Sequence, residues 1–143
     1  MAEKTASAVW NGNLTEGSGS VSTASHVLNN VGVTWKARTS DDNQTSPEEM
    51  IAAAHAACYA MALSNALATA GTPATKVEVT CTVGFNVGAG GAKITHSKLK
   101  VTGTVPGLDQ AGFERAAKAG EQGCPVSNAL RNNVDISVDA KLA

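Results

Sequence analysis

The sequence predicts an α+β fold, in which short strands, a long helix, two longer strands, a second helix and a closing strand follow one another. Three observations carry this. Residues 4 to 38 are rich in Ser, Thr, Gly and Asn with short alternations. "SPEEMIAAAHAAC" at residues 46–58 opens as a helix, and "KVEVTCTVGFNV" and "AKITHSKLKVTGTV" alternate apolar with polar positions. The length of 143 residues suits one hydrophobic core, and neither a repeat nor a linker interrupts it, so residues 1–143 are read as a single domain.

Taken in order, "SGSVSTASHV" and "VGVTWKAR" read as short strands, with turns at Asn11-Gly12-Asn13, Gly17 and Asn29-Asn30. The polar "SDDNQT" then leads into a helix. Ser46 can cap it, Pro47 suits its first position, and Glu49 three residues on completes a capping box. Gly71 and Pro73 end it, giving a helix from about 47 to 70. Met50, Ile51, Ala54, Ala57, Cys58, Met61 and Leu67 form one face of it, while Ala53, Ala56, Ala60 and Leu63 leave the other nearly as apolar. Such a helix should be covered on both sides.

The two long runs read as antiparallel strands joined at Gly88, Gly90 and Gly91, with Val77, Val79, Cys81 and Val83 inward on the first and Leu99, Val101 and Val105 on the second. A helix follows from about Asp109 to Gln122. Pro125 in "CPVSNAL" starts another short one, and "VDISVDAKL" closes the chain as a strand with Val134, Ile136 and Val138 inward.

Eleven Lys and Arg against twelve Asp and Glu leave no electrostatic footprint for nucleic acid or an anionic membrane. Two Trp, two Phe and one Tyr offer little for stacking on bases. The start, "MAEKTASAVWNGNL", lacks the apolar run of a secretory signal, so a cytoplasmic protein is expected. The longest apolar run, Met50 to Leu63, is shorter than a bilayer-spanning helix and reads as a buried helix of a soluble protein.

Cysteines 58, 81 and 124 are odd in number and form no stapling framework. A reactive cysteine must be a thiolate, yet a free thiol of pKa about 8.5 is mostly protonated at neutral pH. Cys58 lies too far along its helix for help from the N-terminus, so it needs a cation, for which Lys36 and Arg38 are the candidates. Arginine would both hold a thiolate and present donors to an oxygen substrate. Without one, Cys58 is a small apolar core residue. Cys124 precedes Pro125 at a helix cap, where backbone N–H groups favour a thiolate, although an ordinary turn cysteine reads the same. Strand alternation accounts for Cys81 as core. His55 and Cys58 share a helix face and with Cys124 evoke zinc, but a fourth ligand would have to come from His26 or His96, which lack ligand spacing. A hydrogen-bonded core histidine is the plainer reading of His55. The "GAGG" cluster lacks a phosphate-loop lysine and reads as a turn.

The helix "SPEEMIAAAHAACYAMAL" together with "GCPVSNAL" resembles the OsmC subgroup of the OsmC/Ohr family of small bacterial thiol peroxidases, and "WNGNLTEGSGSVSTASHVLN" and "VPGLD" extend the resemblance over nearly the whole chain. It implies an OsmC-like fold, with antiparallel sheets wrapped around a long central helix in an intertwined homodimer. It also implies that Cys58 is the peroxidatic cysteine and Cys124 the resolving one, with Arg38 and Glu48 as the arginine and glutamate around the reactive thiol; Cys81 lies outside the reacting pair. The implied activity is reduction of organic hydroperoxides, and of hydrogen peroxide more slowly, through a Cys58 sulfenic acid and a Cys58–Cys124 disulfide. No cofactor or metal is implied. An external dithiol, in this family a dihydrolipoyl group of a lipoylated protein, restores the thiols. The other class of function this fold would carry is a redox sensor or small-molecule binder without turnover.

Spacing adds a constraint. Ten helical residues separate Glu48 from Cys58 by roughly 15 Å, so a straight helix keeps them apart. Either a partner subunit supplies Arg38 and Glu48, or the chain bends between them.

Overall fold

The computed structural model describes residues 1–143, and the chain divides into two compact units, Met1–Met50 and Ile51–Ala143. In the first, strands β1 (Ala6–Asn11), β2 (Ser18–Thr23) and β3 (Val31–Val33) form an antiparallel sheet in that order. Asn13 accepts backbone N–H bonds from Thr15 and Glu16 to build the first turn. The run through Trp35 and Arg38 is not the strand that alternation predicts. Thr34 instead caps a five-residue helix, α1 (Trp35–Thr39), accepting the Ala37 N–H at 3.0 Å.

Helix α2 runs unbroken over Pro47–Thr69, one residue short of the expected end. Ser46 Oγ accepts the Glu49 N–H at 3.1 Å, which is half of a capping box. The other half differs from the expectation, because the Glu49 carboxylate accepts from the Thr45 hydroxyl. Gly71, at φ +83, takes the left-handed conformation after the helix that a residue with a Cβ rarely adopts. The 23-residue helix is long and apolar enough to cross a membrane by length and composition, beyond what Met50 to Leu63 alone promised.

In the second unit, β4 (Lys76–Gly88) and β5 (Gly91–Thr104) pair antiparallel across a two-residue turn. Helices α3 (Gln110–Gly123) and α4 (Pro125–Leu130) follow, and β6 (Asp135–Leu142) completes the sheet in the order β4-β5-β6. The expectation of antiparallel sheets holds for the first sheet and for β4–β5, but β6 runs parallel to β5. The helical connection through α3 and α4 is a crossover, which returns the chain in the direction it left.

The core of this unit joins Tyr59, Leu63 and Leu67 of α2 to Leu99 and Val101 of β5, Phe113 of α3 and Cys124. The buried stripe of α2 is therefore His55, Tyr59, Leu63 and Leu67, four residues apart, and not the face through Met50, Ala54 and Met61. Alanines on every side leave the apolar pattern with little direction, and the large Tyr59 ring decides which side turns inward. On β6, Ile136 and Val138 face inward as expected, continued by Ala140 and Leu142, whereas Val134 is buried just before the strand begins. Gly120 lets α3 approach α2 closely, since a Cβ there would stand 2.9 Å from Leu63 Cα.

Candidate functional site: a pair of thiols under a buried histidine

Within the first unit, α1 and the first turn of α2 bring Arg38 and Glu48 together. Arg38 Nη2 donates to Glu48 Oε1 at 2.8 Å, and Nε donates to both carboxylate oxygens at 3.2 and 3.3 Å. This fork restricts the guanidinium more than a single contact would. The Trp35 ring lies 5.5 Å below it and adds a cation–π contact. The Glu48 carboxylate is thus a buried partner of arginine as well as a first-turn acid.

Within the second unit, Cys58 and Cys124 meet. Cys124 is the N-cap of α4, wholly buried, and its sulfur accepts the Ser127 N–H at 3.5 Å. The cap position read from "GCPVS" is the one observed. Cys58, half-buried on α2, packs against the core cluster that contains Cys124, and the Val126 backbone N–H and the Cys124 thiol both act on its titration. The first turn of α4 thus acts on both sulfurs, through the Ser127 N–H bonded to Cys124 and the Val126 N–H that favours the Cys58 thiolate. Burial pushes the Cys58 thiol above the ordinary thiol value, the Val126 N–H pulls it back, and the neighbouring Cys124 pushes it up further.

Beside this pair stands His55, with no exposed surface. Its Nδ1 lies 2.7 Å from Ser97 Oγ and its Nε2 2.7 Å from Ser127 Oγ. Burial holds its pKa below the ordinary 6.5, against an opposing pull from Glu121, so the ring is neutral near pH 7, with one nitrogen donating and the other accepting. Cys81 closes the row, its sulfur 3.2 Å from Ser97 Oγ; burial raises its thiol pKa and the serine opposes this. Glu121 takes Arg131 Nη2 at 2.8 Å, tying the end of α3 to the residue after α4. No group of three or more His, Cys, Asp and Glu side chains is arranged to hold a metal ion.

The structure brings Arg38 to Glu48 and Cys58 to the cluster that holds Cys124, while Ser97 and Ser127 were not named from the sequence. Ser97 shares the inward register of Leu99 and Val101, and a hydroxyl on that apolar face was a legible sign that something polar lies opposite. Ser127 stands three residues after the capping cysteine, where a cap draws in a backbone N–H.

Fold and site together define an α+β protein with a closely set pair of free cysteines. The chain belongs to the OsmC-like family, whose model, described as "OsmC-like protein", matches residues 40–139. It is 38% identical over 138 residues to Peroxiredoxin OsmC of Escherichia coli K12, covering 96% of each chain. It is 33% identical over 99 residues to the organic hydroperoxide resistance protein of Xanthomonas axonopodis pv. citri, covering 66% of this chain and 65% of that one. Among solved structures it resembles the organic hydroperoxide resistance protein OhrB of Bacillus subtilis, with a TM-score of 0.76, 27% identity, and 96% and 98% of the two chains covered.

Proposed function

We propose that this chain is a cysteine-based peroxidase that reduces organic hydroperoxides, a reading supported by relatives named a peroxiredoxin and an organic hydroperoxide resistance protein. The observation that carries the reading is the packing of Cys58 against the core cluster that holds Cys124, the capping residue of α4. The Cys58 thiolate attacks one peroxide oxygen, the O–O bond breaks, and the departing alkoxide takes a proton. Cys124 then displaces hydroxide from the Cys58 sulfenic acid, giving a disulfide and water. A dithiol reductant of the dihydrolipoyl class restores both thiols by exchange, with no bound cofactor. Such recycling suits a compartment that keeps thiols reduced, and we place the protein in the cytoplasm.

The first step needs a cation, because the surroundings of Cys58 described above push its pKa up. In our reading Arg38 is that cation, stabilising the thiolate and the charge passing to the leaving oxygen, and Glu48 orients it through the fork. The unbroken course of α2 through Glu48 and Cys58 supports the first of the two spacing alternatives, a homodimer in which one subunit supplies Arg38 and Glu48 and the other the thiols. The exposed, largely alanine face of α2 with Ala54, Ala57 and Met61 supports the same assembly.

The test is turnover of cumene hydroperoxide with dihydrolipoamide by the parent chain and three variants. Cys58→Ser is expected to be inactive, Cys124→Ser to form a sulfenic acid but recycle poorly, and Cys81→Ser to turn over as the parent does. An active Cys58→Ser would end the assignment. A parent that consumes a single equivalent and stops would be a sensor, not an enzyme.

A further inference from the structure

The peroxide chemistry gives His55 no task, yet this histidine is wholly enclosed and both ring nitrogens are bonded at 2.7 Å. Its two partners differ in kind. Ser97 belongs to the central strand of the β4-β5-β6 sheet, a fixed support. Ser127 belongs to α4, a six-residue helix too short to hold its shape without outside contacts. The same turn of α4 directs the Ser127 N–H at the Cys124 sulfur, 3.5 Å away. Whatever fixes the Ser127 side chain therefore fixes the turn that holds the Cys124 sulfur.

We infer that His55 is a positioning residue for disulfide formation, spanning from Ser97 on the sheet to Ser127 on α4 so that the turn carrying Cys124 holds its sulfur against Cys58. The inference rests on the proposed peroxidase reading. The step it serves is closed in atoms and electrons. The Cys124 thiolate attacks the sulfenic sulfur of Cys58, the S–S bond forms as the S–O bond breaks, and the hydroxide leaves as water with the proton Cys124 gave up. The oxidising equivalents come from the peroxide already consumed. His55 touches neither sulfur in this step; it limits the wandering of the turn that presents one sulfur to the other.

The two ends of the ring can be separated by substitution. A Gln side chain places its amide near the position of Nε2 and keeps the bond to Ser127, whereas Asn places it near Nδ1 and keeps only the bond to Ser97. Ser127→Ala removes the α4 end outright.

The experiment mixes each reduced variant with one equivalent of cumene hydroperoxide and quenches it in time. Sulfenic acid, trapped with dimedone, and the Cys58–Cys124 disulfide are read separately by mass spectrometry. In Ser127→Ala and His55→Asn, disulfide formation is expected to slow by about tenfold or more, while sulfenic acid appears within about threefold of the parent rate. His55→Gln is expected to recover disulfide formation to within about threefold of the parent. Equal slowing of both steps would overturn the inference by showing a general loss of structure, and so would disulfide formation in Ser127→Ala at the parent rate. If His55→Asn does not fold, Ser127→Ala decides alone. A parent chain that forms sulfenic acid but never the Cys58–Cys124 disulfide would instead break the reading on which this one rests.

Discussion

Arg38 grips Glu48 with two guanidinium nitrogens, Nη2 at 2.8 Å from one carboxylate oxygen and Nε at 3.2 and 3.3 Å from both. The pair is unevenly covered, with the Glu48 side chain 7% exposed and Arg38 28%. Removing the arginine therefore leaves the more deeply buried charge alone. Arg38→Ala is expected to cost about 1–3 kcal/mol through the unpaired carboxylate, which lowers the thermal midpoint by about 3–10 °C. Arg38→Lys keeps a charge but loses the fork, and should fall between the two. An Arg38→Ala chain that melts with the parent would show that the pair contributes nothing to stability. On activity, the proposed role of Arg38 as a donor to developing negative charge predicts that Arg38→Ala slows peroxide reduction by about 10²–10³.

The Cys58 thiol tests where that arginine acts. Burial raises its pKa, the Val126 N–H lowers it and Cys124 raises it again, so an unaided Cys58 titrates above the ordinary thiol value. A guanidinium brought beside the sulfur in the proposed dimer favours the thiolate and opposes that rise. Alkylation follows the thiolate, so the pH at which Cys58 reacts half-maximally with iodoacetamide is expected to lie lower in the parent than in Arg38→Ala. Coincident profiles would mean that Arg38 does not reach Cys58.

His55 gives a pH signature in stability. Its folded-state pKa lies below the unfolded value of 6.5, so on acidification the unfolded chain takes up the proton first. Stability is therefore full above about pH 6.5 and declines as the pH falls below it, since the neutral ring held between Ser97 and Ser127 resists protonation. Cys81 behind Ser97 stays a neutral thiol in this range, and the Glu121 carboxylate only softens the effect. His55→Gln has no group to titrate there, so its thermal midpoint is expected to fall less steeply than the parent's between about pH 7 and pH 5. Parallel slopes would show that His55 is not the source.

Much of this was legible in the sequence because strong local signals agreed with the tertiary structure. The Ser46 and Pro47 helix start, the alternation of Val77, Val79 and Cys81, and the Cys124-Pro125 cap each needed only nearby residues to be read. What was missed depends on distant partners or on competition between weak local preferences. The helix at Arg38 sits in a run whose alternation favours a strand, and Thr34 capping overrides it. The inward stripe of α2 was not singled out because alanine marks no side, and only packing of Tyr59 and Leu63 against the rest of the core chooses one. The parallel placement of β6 depends on the crossover through α3 and α4, which no strand pattern records. The bonds from His55 to Ser97 and Ser127 span 42 and 72 residues of chain.

The exposed side of α2 carries the last prediction. Met61 is 68% exposed, Ala54 and Ala57 are open beside it, and only 22% of the helix's most apolar window is buried. An apolar helix face left open in one chain needs a cover, and in the proposed homodimer the cover is a second copy. Met61→Lys puts an ammonium there. On a free surface such a change alters stability by less than about 0.5 kcal/mol, but in an interface it strands an unpaired charge at a cost of several kcal/mol. Light scattering on chromatographed protein at assay concentration is therefore expected to give a dimer for the parent and a monomer for Met61→Lys, with peroxide turnover lost in step because the thiols and Arg38 then sit on separate molecules. A Met61→Lys dimer of parent-like stability would remove this face from the interface. A fully active monomer would go further, and would return Arg38 and Cys58 to the same chain.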